Sequence, residues 1–324
     1  MALAVSATAT FAAPGWLANR HAQTIYGALF APSPRVAYRR ERWETPDGDF
    51  VDLDFVDGPA GSPWIHLFHG LEGSSASPYA RMLMTQARAL GWRGSVLNFR
   101  GCSGEPNRLP RAYHSGDSAE ADWVLRRLKA LAGAAPLHAA GVSLGGNVLL
   151  KWLGERGAEA GTVVERAAAV SAPVDLTAAG YALERGFAIV YAKHFLHTLK
   201  ARSFAKLARF PGMFDAARAR AARTLREFDD CVTAPVHGFA GVDDYYTRSS
   251  SKPWLGCVQV PTLVLNARDD PFLPEHDLPG AGEVSAAVTL EFPATGGHVG
   301  FVSGFPGRID WLPGRILHHF RNAP

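Results

Sequence analysis

Ser143, Asp270 and His298 stand in the order and setting that a serine nucleophile requires. A serine hydroxyl is a weak nucleophile at neutral pH. It needs a base to take its proton and a carboxylate to orient that base. Ser143 lies in Gly141-Val142-Ser143-Leu144-Gly145, between an apolar run (136–142) and a stretch with helical periodicity (144–157). A G-x-S-x-G at a strand-to-helix junction is the pattern of a nucleophile elbow, a strained turn that projects the hydroxyl into a cleft. Glycines flank the serine because Cβ atoms would clash in so tight a turn. The bland alternative is a serine that caps the following helix.

The acid and the base should follow the serine, each just after a strand. "VPTLVLNARDDPFLP" (260–274) ends an apolar run in Asp269 and Asp270. Pro274, four residues past Asp270, favours Asp270 as the acid and leaves Asp269 to shape the loop. "LEFPATGGHVGF" (290–301) ends another run in a glycine-flanked loop that carries His298. The chain has 12 histidines, so most serve other ends. His66 and His138 fall within apolar runs and read as core residues. His318 and His319 fall on the last helix and read as surface. A tetrahedral oxyanion needs two N–H donors. Leu144, directly after the nucleophile, supplies one, and Leu71 in "HGLEGS" (69–74) is best placed for the other. His69 is expected to shape that loop through its ring hydrogen bonds.

Positioning these groups takes a sheet. "RVAYRRERWETPDGDFVDLDFVDG" (35–58) alternates on both sides of a Pro-Asp-Gly turn, the pattern of a β-hairpin. Short apolar runs follow at 63–68, 93–99, 136–142 and 164–173, separated by helical stretches at 77–92, 115–133 and 144–157. Ser115 or Asp117 would cap the helix at 115–133. Such alternation predicts a mostly parallel, doubly wound α/β sheet. It stops after Pro173 and resumes at 260–267 and 286–293, with a last helix at 310–322. The 174–256 stretch reads as helical, in segments 181–200, 203–210 and 215–228, and would form a cap on a single α/β domain.

Composition narrows the partners. Of 324 residues, 47% are hydrophobic and 19% charged, the balance of a globular domain. Net charge is only +3. The densest basic stretch, "DAARARAARTLREFDD" (215–230), spaces Phe214, Ala217, Ala221, Leu225 and Phe228 as one apolar helix face. Arg218, Arg220, Arg223 and Arg226 then form its solvated face, not a nucleic-acid site. No apolar run of about 20 residues predicts a membrane span. The first 20 residues lack the basic start of a signal peptide. Three cysteines without a paired spacing predict neither a disulfide framework nor zinc, and fit a reducing, cytoplasmic setting.

"NRHAQTIYG", "HGLEGSSASPYARML", "FRGCSGEPNRLPRAYHSGD", "GVSLGGNVLLKWL", "REFDD", "HGF", "DDPF" and "GGHVGF" together resemble the YheT-like branch of the α/β-hydrolase superfamily. That branch is related to ABHD1/ABHD3-type hydrolases and to yeast medium-chain ethyl-ester synthases. The resemblance covers about residues 15–320. It implies an α/β-hydrolase fold and a triad of Ser143, Asp270 and His298. It implies a carboxylic ester hydrolase, or an acyltransferase to alcohols, and does not name the substrate. Small acyl esters are the expected substrates, or lipids, which the apolar and basic faces of the helical cap suggest. Serine acyl chemistry requires no metal or cofactor. A non-catalytic binding protein on this fold is the reading from another class, and a complete triad argues against it. Within these motifs Arg100 would pair with Asp117 or Glu105, or bind a carboxylate or phosphate. Cys102 would be a packed thiol, and His114 and Asp117 would support the Arg100 loop. His21 reads as structural, Gly146 as a close-packing residue, and Asn147 as a loop anchor.

Overall fold

A computed structural model describes residues 10–322. A short helix, α1 (Arg20–Ile25), precedes the hairpin β1 (Arg39–Glu44) and β2 (Phe50–Val56). Then β3 (Trp64–Phe68), α2 (Pro78–Ala89), β4 (Arg93–Asn98), α3 (Ser118–Ala132), β5 (Leu137–Val142), α4 (Leu144–Arg156) and β6 (Arg166–Val170) alternate. Six helices intervene before β7: α5 (Leu176–Ala182), α6 (Ala188–Arg209), α7 (Ala216–Ala221), α8 (Leu225–Phe228), α9 (Ala234–Val236) and α10 (Val242–Ser249). The chain closes with β7 (Thr262–Leu265), β8 (Val288–Glu291) and α11 (Trp311–Arg321).

The strands form one sheet in the order β1-β2-β4-β3-β5-β6-β7-β8. The two junctions made by β2 are antiparallel and the rest are parallel. β3 and β5 are buried along their whole length, which is why they read as continuous apolar runs instead of alternating ones. Successive side chains point to opposite faces. Phe68 and Leu97 pack with Val124, Leu128 and Trp152 from α3 and α4. Ile65 and Leu67 pack on the other face with Leu83 and Met84 of α2 and Leu312 and Ile316 of α11. Burying each such side chain contributes about 1.5–3 kcal/mol, so both faces anchor the strand ends that carry the site.

The helical region departs from the sequence expectation in three ways. The segments at 181–200 and 203–210 are one helix, α6, which starts only after Gly186 turns the chain at φ +53. The basic stretch is two helices. Asp215 caps α7, and Thr224 caps α8 in a reciprocal box with Glu227. The break shifts the register, so Ala219 and Ala222 are buried while Ala217 and Ala221 are exposed. Arg218 pairs with Asp230 and Arg226 with Asp243.

At α3 the expected cap is also absent. Asp117 occupies the cap position without a capping bond, and its carboxylate accepts instead from Arg111 Nη2 at 2.7 Å. The cation outcompetes a local N–H because a charged donor makes the stronger bond. His318 and His319 are half-buried, not free on the surface, and the His319 ring reaches the Pro261 carbonyl.

Candidate active site

β5 delivers the chain to Ser143 at the carboxyl edge of the sheet, where φ is +53 and ψ −121. A non-glycine residue rarely adopts this conformation, and holding it costs roughly 1–3 kcal/mol. Ser143 N–H donates to the Val170 carbonyl at 2.8 Å, and the Ser143 carbonyl receives Gly146 N–H and Asn147 N–H as α4 begins. The turn is as tight as the glycines suggested. A Cβ on Gly141 would lie 2.4 Å from the Gly145 carbonyl oxygen, and one on Gly145 2.4 Å from that of Phe68. A Cβ on Gly146 would meet Ala172 Cβ at 2.9 Å. Ser143 makes no side-chain cap bond to the helix. Its hydroxyl goes elsewhere.

That elsewhere is His298, whose Nε2 lies 2.9 Å from Ser143 Oγ. The other ring nitrogen, Nδ1, lies 2.8 Å from Asp270 Oδ2 and 3.1 Å from Oδ1. Facing the Asp270 carboxylate oxygens, Nδ1 carries the proton, so Nε2 accepts from the serine hydroxyl. The loop that holds His298 is pinned from three sides. Its N–H donates to Thr24 Oγ1 of α1, Val299 N–H donates to Ser171 Oγ, and the ring stacks on Phe272 at 4.1 Å. Val299 and Phe301 both have positive φ, so the backbone is bent sharply around the histidine. Asp270 is buried and also accepts Phe272 N–H at 2.8 Å. Asp269 points away and accepts Gly297 N–H at 2.9 Å, a bond that shapes the histidine loop.

Leu71 and Leu144 both line the cavity beside Ser143. Among the described residues, neither backbone N–H has a protein acceptor. Three rings fix the Leu71 loop. His69 Nδ1–H donates to the Gly70 carbonyl at 2.7 Å, while its Nε2 accepts Phe99 N–H at 3.1 Å. Burial pushes the His69 imidazole down to about 4, so the ring stays neutral and serves the loop. Gly70 N–H donates to the Tyr79 hydroxyl, and Glu72 N–H to the Tyr113 hydroxyl. Glu72 itself turns at φ +57. Tyr79, Tyr113 and Thr24 were not singled out from the sequence. Tyrosine and threonine at those spacings carry no signal by themselves, and Tyr113 and Thr24 act across 41 and 274 residues of chain.

Arg100 is ion-paired, but with other partners than expected. Its guanidinium meets Asp49 at 2.9 Å, Asp47 at 3.0 Å and Glu120 at 2.5 Å. Asp117 and Glu105 pair with Arg111 and Arg42 instead. Burial and the Asp117 charge raise the Glu120 carboxyl, while Arg100 pulls it back. Cys102 is a buried thiol pushed up to about 11 by burial, and so is a poor nucleophile. His114 does not support the Arg100 loop. It packs on His237 at 4.7 Å, and its Nδ1 accepts Gly116 N–H. Asn147 ties loops together, donating to the Ser115 and Ser249 carbonyls and accepting Ser251 N–H. His21 contacts Tyr191 and Phe187, and His66 and His138 are buried in the core.

Ser143 and His298 open onto a cavity of about 460 Å³. Leu183, Phe195, Leu199, Phe214, Phe228 and Val232, all from the largely helical segment between β6 and β7, line one side of it. Among the described residues no His, Cys, Asp and Glu cluster could hold a metal ion, and no helix is long and apolar enough to cross a membrane.

A family profile described as alpha/beta hydrolase fold matches residues 63–305. The YheT protein of Escherichia coli (strain K12) is 43% identical over 96% of this chain and 93% of its own. A mouse protein named phospholipase ABHD3 is 32% identical over 98% of this chain and 79% of its own. A Saccharomyces cerevisiae monoacylglycerol lipase is 27% identical over 83% of this chain and 60% of its own. Among solved structures, Pyrococcus furiosus esterase Pf2001 superimposes with a TM-score of 0.56 at 15% identity, covering 90% of this chain and 98% of its own. At that identity the likeness speaks to the fold alone.

Proposed function

Since the chain belongs to the α/β-hydrolase fold family, we propose that it is a carboxylic ester hydrolase in which Ser143, His298 and Asp270 form the catalytic triad. The observation that carries the assignment is the unbroken hydrogen-bond relay from Asp270 through His298 to Ser143 Oγ.

His298 Nε2 takes the hydroxyl proton as Ser143 Oγ attacks the ester carbonyl. Asp270 holds the ring in the tautomer that accepts at Nε2, and stabilises the imidazolium that forms. The Leu71 and Leu144 N–H groups receive the oxyanion, aided by the positive end of α4. The imidazolium then protonates the leaving alcohol, and the acyl group stays on Ser143. Water, deprotonated by the same histidine, attacks the acyl-enzyme and releases the acid.

The helices from 174 to 256 act as a cap within one domain, because their apolar residues supply the wall against which an acyl chain would rest. The same wall, together with relatives named as phospholipase and monoacylglycerol lipase, supports lipid esters alongside short soluble ones. Three free cysteines support a reducing, cytoplasmic setting.

A fluorophosphonate probe tests the assignment. Wild-type protein should be labelled on Ser143 with loss of p-nitrophenyl ester hydrolysis, and Ser143→Ala should show neither labelling nor turnover. Full hydrolysis by Ser143→Ala would refute it.

A further inference from the structure

The cavity wall changes character along α6. Earlier in the helix the lining residues are apolar, Phe195 and Leu199. Further along, Arg202, Lys206 and Arg209 all line the cavity. Their spacing sets them on one helix face, one turn above another.

These cations are not evenly matched by acids. Arg202 Nη1 meets Glu72 Oε1 at 3.2 Å, and that oxygen also accepts the Tyr113 hydroxyl at 3.0 Å. Asp229, the other carboxylate on the cavity wall, is held by the Thr233 and Tyr246 hydroxyls. Arg100 spends its charge on Asp47, Asp49 and Glu120. Lys206 and Arg209 are left with neutral acceptors. The Lys206 ammonium donates to Asn107 Oδ1 and the Arg111 carbonyl, and Arg209 Nη1 to the Asn107 carbonyl at 3.2 Å. Among the described residues neither forms an ion pair. Asp49 attracts Lys206, but its oxygens are taken by Arg100, Asn107 and the N–H groups of Phe50, Arg108 and Leu109.

A half-buried ammonium without an anionic partner is costly. Burial lowers Lys206 to about 8, the direction expected of a desolvated cation whose counter-charge is not supplied. A purely solvated basic face would turn away from the cavity, and this one borders it.

We propose that Lys206 and Arg209, with Arg202 beside them, bind an anionic group, a carboxylate or a phosphate, carried by the ester substrate away from its scissile carbonyl. The proposal rests on the reading of this cavity as the substrate site. An amphiphilic ester then lies with its apolar part against the Phe195–Phe228 wall, its carbonyl at Ser143 and its anion at the α6 cations.

Two matched pairs test it on the full-length enzyme: p-nitrophenyl octanoate against p-nitrophenyl hydrogen suberate, and monodecanoylglycerol against monodecanoylglycerol phosphate. In at least one pair the anionic member should show about tenfold higher kcat/KM, the effect of one modest charge contact. Which pair responds tells carboxylate from phosphate. The preference should collapse toward parity in Lys206→Met and Arg209→Gln and survive in Lys206→Arg. Raised NaCl should increase KM for the favoured anionic ester of the wild-type enzyme and leave its neutral twin unmoved, a readout that needs no variant to fold. Equal or faster turnover of the neutral member in both pairs would overturn the proposal while leaving the esterase reading intact. No turnover of any of the four would overturn both.

Discussion

Asp270 Oδ2 and His298 Nδ1 are 2.8 Å apart, although the two residues sit in separate loops, one after β7 and one after β8. Parallel pairing of these strands sets both loops at one edge of the sheet. Asp269, one residue earlier, faces Gly297 instead.

That difference separates the two aspartates experimentally. Asp270→Asn should lower kcat by about 10⁴-fold, because the amide can favour the wrong histidine tautomer. Asp269→Asn keeps an acceptor for Gly297 N–H and should cost no more than about tenfold. Steady-state p-nitrophenyl ester kinetics on both variants decide the matter. A larger loss at Asp269 would reverse the assignment.

The elbow glycines should differ in tolerance. A methyl on Gly145 would strike the Phe68 and His69 carbonyl oxygens at 2.4 and 2.6 Å, both backbone atoms that cannot move aside. A methyl on Gly146 meets Ala172 Cβ at 2.9 Å and the Gly141 carbonyl oxygen at 3.1 Å, a smaller overlap than at Gly145. Gly145→Ala is therefore expected to abolish activity or folded yield, and Gly146→Ala to retain a measurable share of both. Soluble expression and ester turnover of the two variants, measured side by side, check the ranking.

Arg100 is a stability residue. Replacing it by leucine leaves Asp49 and Glu120 buried without their cation, an imbalance that typically costs about 3–5 kcal/mol. Urea unfolding of Arg100→Leu should show a midpoint shifted down accordingly. A shift under about 1 kcal/mol would mean that water reaches these carboxylates.

Stability should fall on mild acidification. Burial holds His66 down to about 3 and both His69 and His138 down to about 4, against an ordinary value of 6.5. Below pH 6.5 the unfolded chain binds protons that these folded residues refuse, so unfolding is favoured as pH drops. The contribution is full above pH 6.5 and is lost as pH falls through about 4 for His69 and His138 and about 3 for His66. At pH 5 each residue accounts for up to roughly 2 kcal/mol. The urea midpoint should therefore drop between pH 7 and pH 5. His138→Phe, which keeps the stack between Trp92 and Phe320, should flatten the slope.

Much of this molecule is legible from local pattern. The short runs at 63–68, 93–99 and 136–142 read as buried strands, because they are too short for helices and alternate with helical stretches as in a doubly wound sheet. Gly141 and Gly145 around a serine, at a strand-to-helix change, left few conformations open, and φ +53 at Ser143 is the one they permit. The order of serine, acid and histidine followed from where the strands end.

Other features were decided only when distant segments met. The alternation of apolar residues could not place the break between α7 and α8, because Thr224 and Glu227 cap a helix as readily as they continue one. Arg100 had acids near it in sequence, yet folding brought it Asp47 and Asp49 from the hairpin, about 50 residues earlier, as well as Glu120. Thr24, Tyr79 and Tyr113 reach the site from three different elements, and no local spacing marks them. The sequence determined the backbone turns and strand ends, since these depend on neighbouring residues. Which charge meets which, and which hydroxyl holds each loop, depends on contacts between remote residues, and only the tertiary structure settles those.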